Sequence, residues 1–248
     1  MKRFGLIGQH LQHSFSPAYF ANKFKQEGIW DAVYELFPLA QIEDFKSLLQ
    51  KENNLAGLNV TIPYKQAILP FLDDLSPQAL QIGAVNTIQF VEGKLIGHNT
   101  DVYGFQTSLE KVLASTPFGS RALVLGTGGA SKAVVHALQE MNISYQYVSR
   151  KATDNALSYE MLSSQSIQEH LIIINTTPLG MFPNINTCPP LSYTDIGSKH
   201  ILFDLVYNPK QTLFMQKGTE QGAKTSNGLE MLHLQAEKAW SIWTASGN

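Results

Sequence analysis

Three observations predict an α/β protein built in two parts. Short apolar runs alternate with helical patterns along most of the chain, the alternation that parallel sheets covered by helices require. A glycine-rich turn, Gly126-Thr-Gly128-Gly129-Ala130, follows one apolar run and opens a helical pattern. Ahead of it, amides, hydroxyls, one ammonium and one carboxylate gather in Asn59-Val-Thr61-Ile-Pro63-Tyr-Lys65, Gly83-Ala-Val-Asn86-Thr87 and Asn99-Thr100-Asp101.

Taken in order, residues 4–7 read as a short buried strand. Ser16-Pro17 reads as an N-cap followed by proline at the first helical position, with the helix ending near Gly28. Residues 33–37 form a second strand and 41–51 a helix with Phe45, Leu48 and Leu49 on one face. A third strand covers 58–62, and Lys65 falls near the start of the next predicted helix. Residues 84–91 and 94–98, joined across Glu92-Gly93, read as an antiparallel hairpin. A helix follows over 101–113. The clearest break in composition is Thr116-Pro117-Phe118-Gly119-Ser120, but the boundary between parts is placed a helix earlier, near Asp101.

Beyond it come strands at 122–125, 144–148, 171–175 and 201–206 and a helix at 131–141. A last helix from 229 to about 245 puts Leu229, Leu232, Ala236, Ala239, Trp240 and Trp243 on one face, which must dock on something. The expected domains are 1–101 for substrate, 102–226 for nucleotide, and 227–248 as a C-terminal helix returning to the first.

The 248 residues suffice for two modest cores. Hydrophobic residues at 44% and charged ones at 15% describe an ordinary globular protein. With a net charge of −2 and scattered Lys and Arg, neither nucleic acid nor a membrane surface is expected as a partner. Cys188 stands alone, so no intrachain disulfide can form, and no zinc spacing accompanies it. The N-terminus is too short in apolar residues for a signal-peptide core, and a cytoplasmic location is expected.

The glycine turn sits where phosphate binding needs it. Gly126 permits the tight turn, Gly128 lets backbone approach a phosphate, and Gly129 and Ala130 lead into the amides and positive dipole of a helix N-terminus. Thr127 lies within the turn, and Ser131 takes the third fingerprint position instead of glycine. About twenty residues on, Ser149-Arg150-Lys151 stands where NAD sites usually carry an acidic residue. Two cations there favour a 2′-phosphate, so NADP is the expected cofactor. The loop Thr176-Thr177-Pro178-Leu-Gly180 ends a strand and should border the nicotinamide.

In the first part, Asn59 and Thr61 lie two residues apart and share a strand face. Lys65 is the most informative titratable group, with Asp101 as its obvious partner. Ser14 and Ser16 precede a helix, where hydroxyls and amides can converge on a carboxylate. A polyol-binding half beside a dinucleotide-binding half implies an oxidoreductase.

His13-Ser14-Phe-Ser16-Pro17, the 59–65 run, Gly83–Thr87, Asn99–Asp101, the glycine turn and Asn227-Gly228-Leu-Glu-Met-Leu…Gln235 resemble the shikimate dehydrogenase family, in its order and over nearly the whole chain. The resemblance implies an α/β substrate domain, a Rossmann-type doubly wound NADP domain and NADPH-dependent, reversible reduction of 3-dehydroshikimate in aromatic amino acid biosynthesis. It places the substrate carboxylate on Ser14 and Ser16, with Tyr207 close by. Thr61, Asn86, Asp101 and Gln235 take the hydroxyls, with Asn59 in the same cluster, and Lys65 and Asp101 form the catalytic pair. Val206 and Gly228 lie beside the nicotinamide. One departure is Ser149-Arg150-Lys151, where the family often has Asn-Arg-Thr. No metal is implied, and the expected assembly is a monomer or homodimer. Two rivals remain: an NAD-linked quinate/shikimate enzyme, and a non-catalytic NADP-binding sensor of the same fold.

Overall fold

The computed structural model describes residues 1–12, 14–113 and 120–245. His13 and most of the 116–120 break therefore lie outside the described residues. The chain divides into two compact units, one formed by residues 1–100 with 236–248 and the other by 101–235.

In the first unit, β1 (Lys2–Gly8), α1 (Ser16–Glu27), β2 (Ala32–Pro38), α2 (Asp44–Lys51) and β3 (Leu55–Val60) alternate as expected. They are followed by β4 (Asp74–Leu75), α3 (Pro77–Ile82), β5 (Thr87–Val91) and β6 (Lys94–His98). The six strands form one mixed sheet in the order β2-β1-β3-β5-β6-β4. β1 runs parallel to both neighbours, while β5 is antiparallel to β3 and β6. The β5–β6 turn places Glu92 at φ 50° and Gly93 at φ 77°, the two left-handed residues that a tight hairpin matching strand twist demands.

Four expectations need correction here. Ser16 is not a cap: Phe15 holds that position with no side-chain cap bond, and Ser16 is already helical. The third strand stops at Val60, so Thr61 lies just past it. Lys65 sits not near a helix start but among turns leading to a short 3₁₀ segment, Leu69–Phe71. The second helix also begins three residues later than expected, at Asp44.

Alternation along the strands feeds two cores. Ile7, Phe37, Leu58 and Val60 face α2 and Phe45. Phe4, Leu6 and Tyr34 face Phe20 and Phe24 of α1, joined by Ala236, Ala239 and Trp243 from the C-terminal segment. Trp243 donates its indole N–H to the Ile88 carbonyl at 3.0 Å. Gly57 is what admits the ring, because a Cβ there would lie 2.4 Å from it.

The second unit contains α4 (Asp101–Leu113), β7 (Ala122–Leu125), α5 (Gly129–Glu140), β8 (Tyr145–Ser149), β9 (Ala156–Ser158) and α6 (Ser164–Glu169). It continues with β10 (Ile172–Asn175), β11 (Ile201–Asp204), α7 (Leu213–Glu220), β12 (Lys224–Asn227) and α8 (Leu229–Thr244), whose last turns belong to the first unit. Its sheet is wholly parallel, in the order β12-β11-β10-β7-β8-β9. Counted from β7, that is the 3-2-1-4-5-6 order of doubly wound dinucleotide folds, with the order reversing between β7 and β10. All four residues of β7, β10 and β11 are buried, as strands covered on both faces must be. Among the described residues no helix is long and apolar enough to cross a membrane.

Candidate active-site residues

In the first unit the polar residues are fastened to one another. Tyr34, stacked on Phe20 with ring centroids 4.4 Å apart, donates its hydroxyl to Asn59 Oδ1 at 2.8 Å. Burial pushes this phenol far above its usual range, and a hydrogen bond with Ser16 pulls the other way. Asn59 Nδ2 donates to the Asn86 carbonyl and to Thr87 Oγ1, both at 3.2 Å. Both of its N–H groups are therefore spent on the scaffold, tying β3 to β5. Asn86, 5% exposed, accepts at Oδ1 from the Thr100 backbone N–H at 2.7 Å and from Thr87 Oγ1 at 3.1 Å. Its Nδ2 donates to Thr100 Oγ1 at 3.0 Å. Asn99 Nδ2 donates to the Ala84 carbonyl at 2.9 Å, pinning the same crossing.

Thr61 and Lys65 sit beyond the carboxyl end of β3. Thr61 N–H donates to the Ile7 carbonyl, and the Lys65 carbonyl accepts from Val85 N–H at 2.7 Å. Both side chains are half-buried, as are those of Ser14 and Ser16.

In the second unit the glycine turn lies at the sheet's switch point. Gly126 has φ 107°, and a Cβ there would stand 2.8 Å from Thr176 Oγ1 and 2.9 Å from Thr177 Cγ2. The turn and the Thr176 loop are thus in contact at the ends of β7 and β10. Thr176 Oγ1 donates to the Leu125 carbonyl at 2.7 Å. At Gly128, the N-cap of α5, a Cβ would meet nothing within 4 Å. Ser131 is fully buried and donates its hydroxyl to the Gly128 carbonyl at 2.7 Å, which is how a serine fits where the fingerprint has glycine.

Ser149 closes β8 and donates to the Lys151 carbonyl. Arg150 and Lys151 are exposed, and among the described residues no carboxylate pairs with either side chain. An open backbone turn at a helix N-terminus and two unpaired cations, with no acid at the end of β8, fit a dinucleotide carrying a 2′-phosphate. Gly126, Thr127, Gly128, Gly129 and Ala130 would hold the pyrophosphate, and Arg150 and Lys151 the extra phosphate.

Val206 and Gly228 also meet. Gly228 N–H donates to the Val206 carbonyl, and a Cβ at Gly228 would stand 2.2 Å from the Leu205 carbonyl oxygen. Behind them lies a group that the sequence pattern marks only as a strand end. Asp204 is fully buried; it accepts from Thr212 Oγ1 at 2.6 Å, Asn175 Nδ2 at 2.9 Å and Val206 N–H at 3.0 Å. It locks the ends of β10 and β11 to the cap of α7. Burial pushes its carboxyl up to about 6, against the pull of those three bonds.

Asp101 is buried and opens α4, where a helix N-terminus favours a carboxylate. Three residues on, Gly104 lets α8 approach closely: a Cβ there would be 2.6 Å from the Met231 carbonyl oxygen and 2.8 Å from Gln235 Cγ. Tyr207 is half-buried, and burial raises its phenol. Among the described residues no group of three or more His, Cys, Asp or Glu could hold a metal ion.

A doubly wound sheet with an open glycine turn at its switch point, joined in one chain to a unit holding a buried amide–hydroxyl cluster, defines a pyridine-nucleotide oxidoreductase of small polar substrates. Comparison with known proteins makes this specific. The profile of the shikimate dehydrogenase substrate binding domain matches residues 6–88. A shikimate dehydrogenase (NADP(+)) of Clostridium beijerinckii is 41% identical over 255 residues, covering 98% of this chain and 92% of that relative. The crystal structure of shikimate 5-dehydrogenase from Thermus thermophilus with NADP(H) and shikimate superposes with a TM-score of 0.85 at 32% identity, covering 99% of this chain and 94% of that one. Quinate dehydrogenase from Corynebacterium glutamicum in complex with NAD gives a TM-score of 0.87 at 29% identity, over 98% and 94%. The chain belongs to the shikimate dehydrogenase family.

Proposed function

We propose that the protein catalyses the NADPH-dependent, reversible reduction of 3-dehydroshikimate to shikimate, a step of aromatic amino acid biosynthesis. The observation that carries this reading is the similarity to NADP(+)-dependent shikimate dehydrogenases over 97–98% of the chain, both units included. The chemistry NADPH supplies when bound is a hydride to the C3 carbonyl carbon. The chain's own part is to place the substrate and supply the proton.

Lys65, as an ammonium, protonates the developing alkoxide and stabilises its charge. Asp101 accepts a substrate hydroxyl. Ser14 and Ser16 receive the carboxylate, with Tyr207 near it, while Thr61, Asn86 and Gln235 take the remaining hydroxyls. Asn59, its amide hydrogens spent on Asn86 and Thr87, supports this cluster from behind. Thr176, Val206 and Gly228 border the nicotinamide, and Ser149, Arg150 and Lys151 the adenosine phosphate.

The likeness to an NAD-bound quinate dehydrogenase keeps a second reading worth testing, but Arg150 and Lys151 at the end of β8 favour NADP. The experiment is to follow nicotinamide reduction with shikimate or quinate as substrate and NADP⁺ or NAD⁺ as acceptor. Turnover with shikimate and NADP⁺ that exceeds the other three combinations supports the proposal. Preference for quinate or NAD⁺ transfers the chain to the alternative. Inactivity in all four, from folded protein that binds NADP⁺, leaves the sensor.

A further inference from the structure

The amide of Asn86 is oriented by its neighbours alone. The Thr100 backbone N–H is a donor, so the atom 2.7 Å from it must be the carbonyl oxygen Oδ1. Thr87 Oγ1, which itself accepts from Asn59 Nδ2, donates to the same oxygen. Both lone pairs of Oδ1 are then filled, and the Thr100 hydroxyl also lies 3.3 Å from the same oxygen as a third, longer contact. On the nitrogen, one N–H goes to Thr100 Oγ1 at 3.0 Å, and one is left over. Asn86 can therefore offer a ligand one donor only, and its direction is set by the bond that the first N–H makes. Thr100 is 1% exposed and Asn86 5%, so water cannot replace that partner cheaply.

We propose that Thr100 is a positioning residue for substrate: its hydroxyl and its backbone N–H grip both ends of the Asn86 amide and aim the remaining N–H at a substrate hydroxyl. The proposal rests on the reading of Asn86 as a substrate ligand. Thr100 touches no reacting atom in this role. It acts through Asn86, and its methyl group is incidental.

That last point makes the test sharp. Thr100→Val keeps the shape and removes the hydroxyl; Thr100→Ser keeps the hydroxyl and removes the methyl. Steady-state constants for shikimate and NADP⁺ would be measured on both, with thermal melting to establish folding. Thr100→Val is expected to raise KM for shikimate about tenfold, the effect of leaving a buried donor unpaired, with kcat within about threefold and KM for NADP⁺ unmoved. Thr100→Ser is expected to stay close to wild type.

Wild-type constants in Thr100→Val, or a worse KM in Thr100→Ser than in Thr100→Val, would overturn the proposal, the second result assigning Thr100 to packing. If Thr100→Val does not fold, Thr100→Ala against Thr100→Ser reads the same hydroxyl. Asn86→Ala separates this from the parent reading. If it leaves KM for shikimate unchanged, Asn86 is no ligand and both fall; if it raises KM while Thr100→Val does not, only the positioning role falls.

Discussion

On the function proposed above, Asn86 and Arg150 mark two ways of preparing for a ligand. In the first unit, Asn86 is buried and held by Thr87 and Thr100, with Asn59 and Tyr34 behind them. In the second, the glycine turn is open at Gly128, where a Cβ would meet nothing within 4 Å, and Arg150 and Lys151 stand exposed with no carboxylate partner among the described residues. The substrate's hydroxyls have to be told apart by position, which calls for donors fixed before binding. A phosphate needs charge and open amides, and exposed cations can find it after contact. Substitutions in the first unit should therefore act sharply and on one ligand. Those among the cations of the second should act gradually and respond to salt.

The largest expected effect tests the chemistry on the substrate side. Lys65→Ala should lower kcat by roughly 10²–10⁴, with a smaller change in KM. A kcat within a few-fold of wild type would remove Lys65 from the mechanism. Next comes the part of the nucleotide unit that is rigid. Gly126→Ala puts a Cβ against Thr176 and Thr177 at a φ of 107°, which should cost about 1–3 kcal/mol. It should lower the melting temperature and raise KM for NADP⁺ while sparing KM for shikimate. An unaltered Tm and KM would mean that the turn is looser than its geometry states.

Asp204 gives a comparable effect with a pH signature. Its native carboxyl titrates near 6, above the ordinary 3.8. Between those values the native state binds more protons than the unfolded chain, so stability falls as pH rises. The loss is complete above about 6 and should amount to something on the order of 1–3 kcal/mol. Asp204→Asn should flatten this part of the profile. Melting curves from pH 4 to 7 that keep the same slope in the variant would acquit Asp204.

The smallest effect sharpens the contrast most. Arg150→Ala should raise KM for NADP⁺ about tenfold, the worth of one charge-assisted bond, and leave KM for NAD⁺ alone. Added salt should erode the NADP⁺ preference of the wild type. A variant that keeps its full preference would move the 2′-phosphate elsewhere.

What the sequence disclosed followed burial. β7 is apolar throughout, and β10 and β11 are apolar up to their last residues, Asn175 and Asp204; all three are legible, as is the glycine turn between strand and helix. β9 and β12 are edge strands; Lys224-Thr-Ser-Asn227 carries no alternation because an edge need not bury a face. α7 escapes notice although Thr212 caps it, since one hydroxyl before a short helix resembles any loop threonine.

Among the candidate site residues, types are easier to read than duties. Strand periodicity puts Asn59 on a polar face but cannot show that its partners, Tyr34 and Thr87, lie 25 and 28 positions away. Ser16 invites the role of cap because proline follows it, and the chain enters the helix one residue earlier. Thr100 and Asp204 stand out in the sequence only as neighbours of other residues. Their importance comes from hydrogen bonds to Asn86 and Asn175, which no spacing in the chain announces.

The last turns of α8 set an order of events during synthesis. Ala236, Ala239 and Trp243 complete the aromatic core around Phe4, Phe20 and Tyr34, and Trp243 closes on Ile88 through the gap left by Gly57. A ribosome releases residues 101–235, a whole second unit, before it releases those. Residues 1–100 are thus completed only after residues 101–235 have been made, and a nascent chain carries an uncovered aromatic face until α8 emerges.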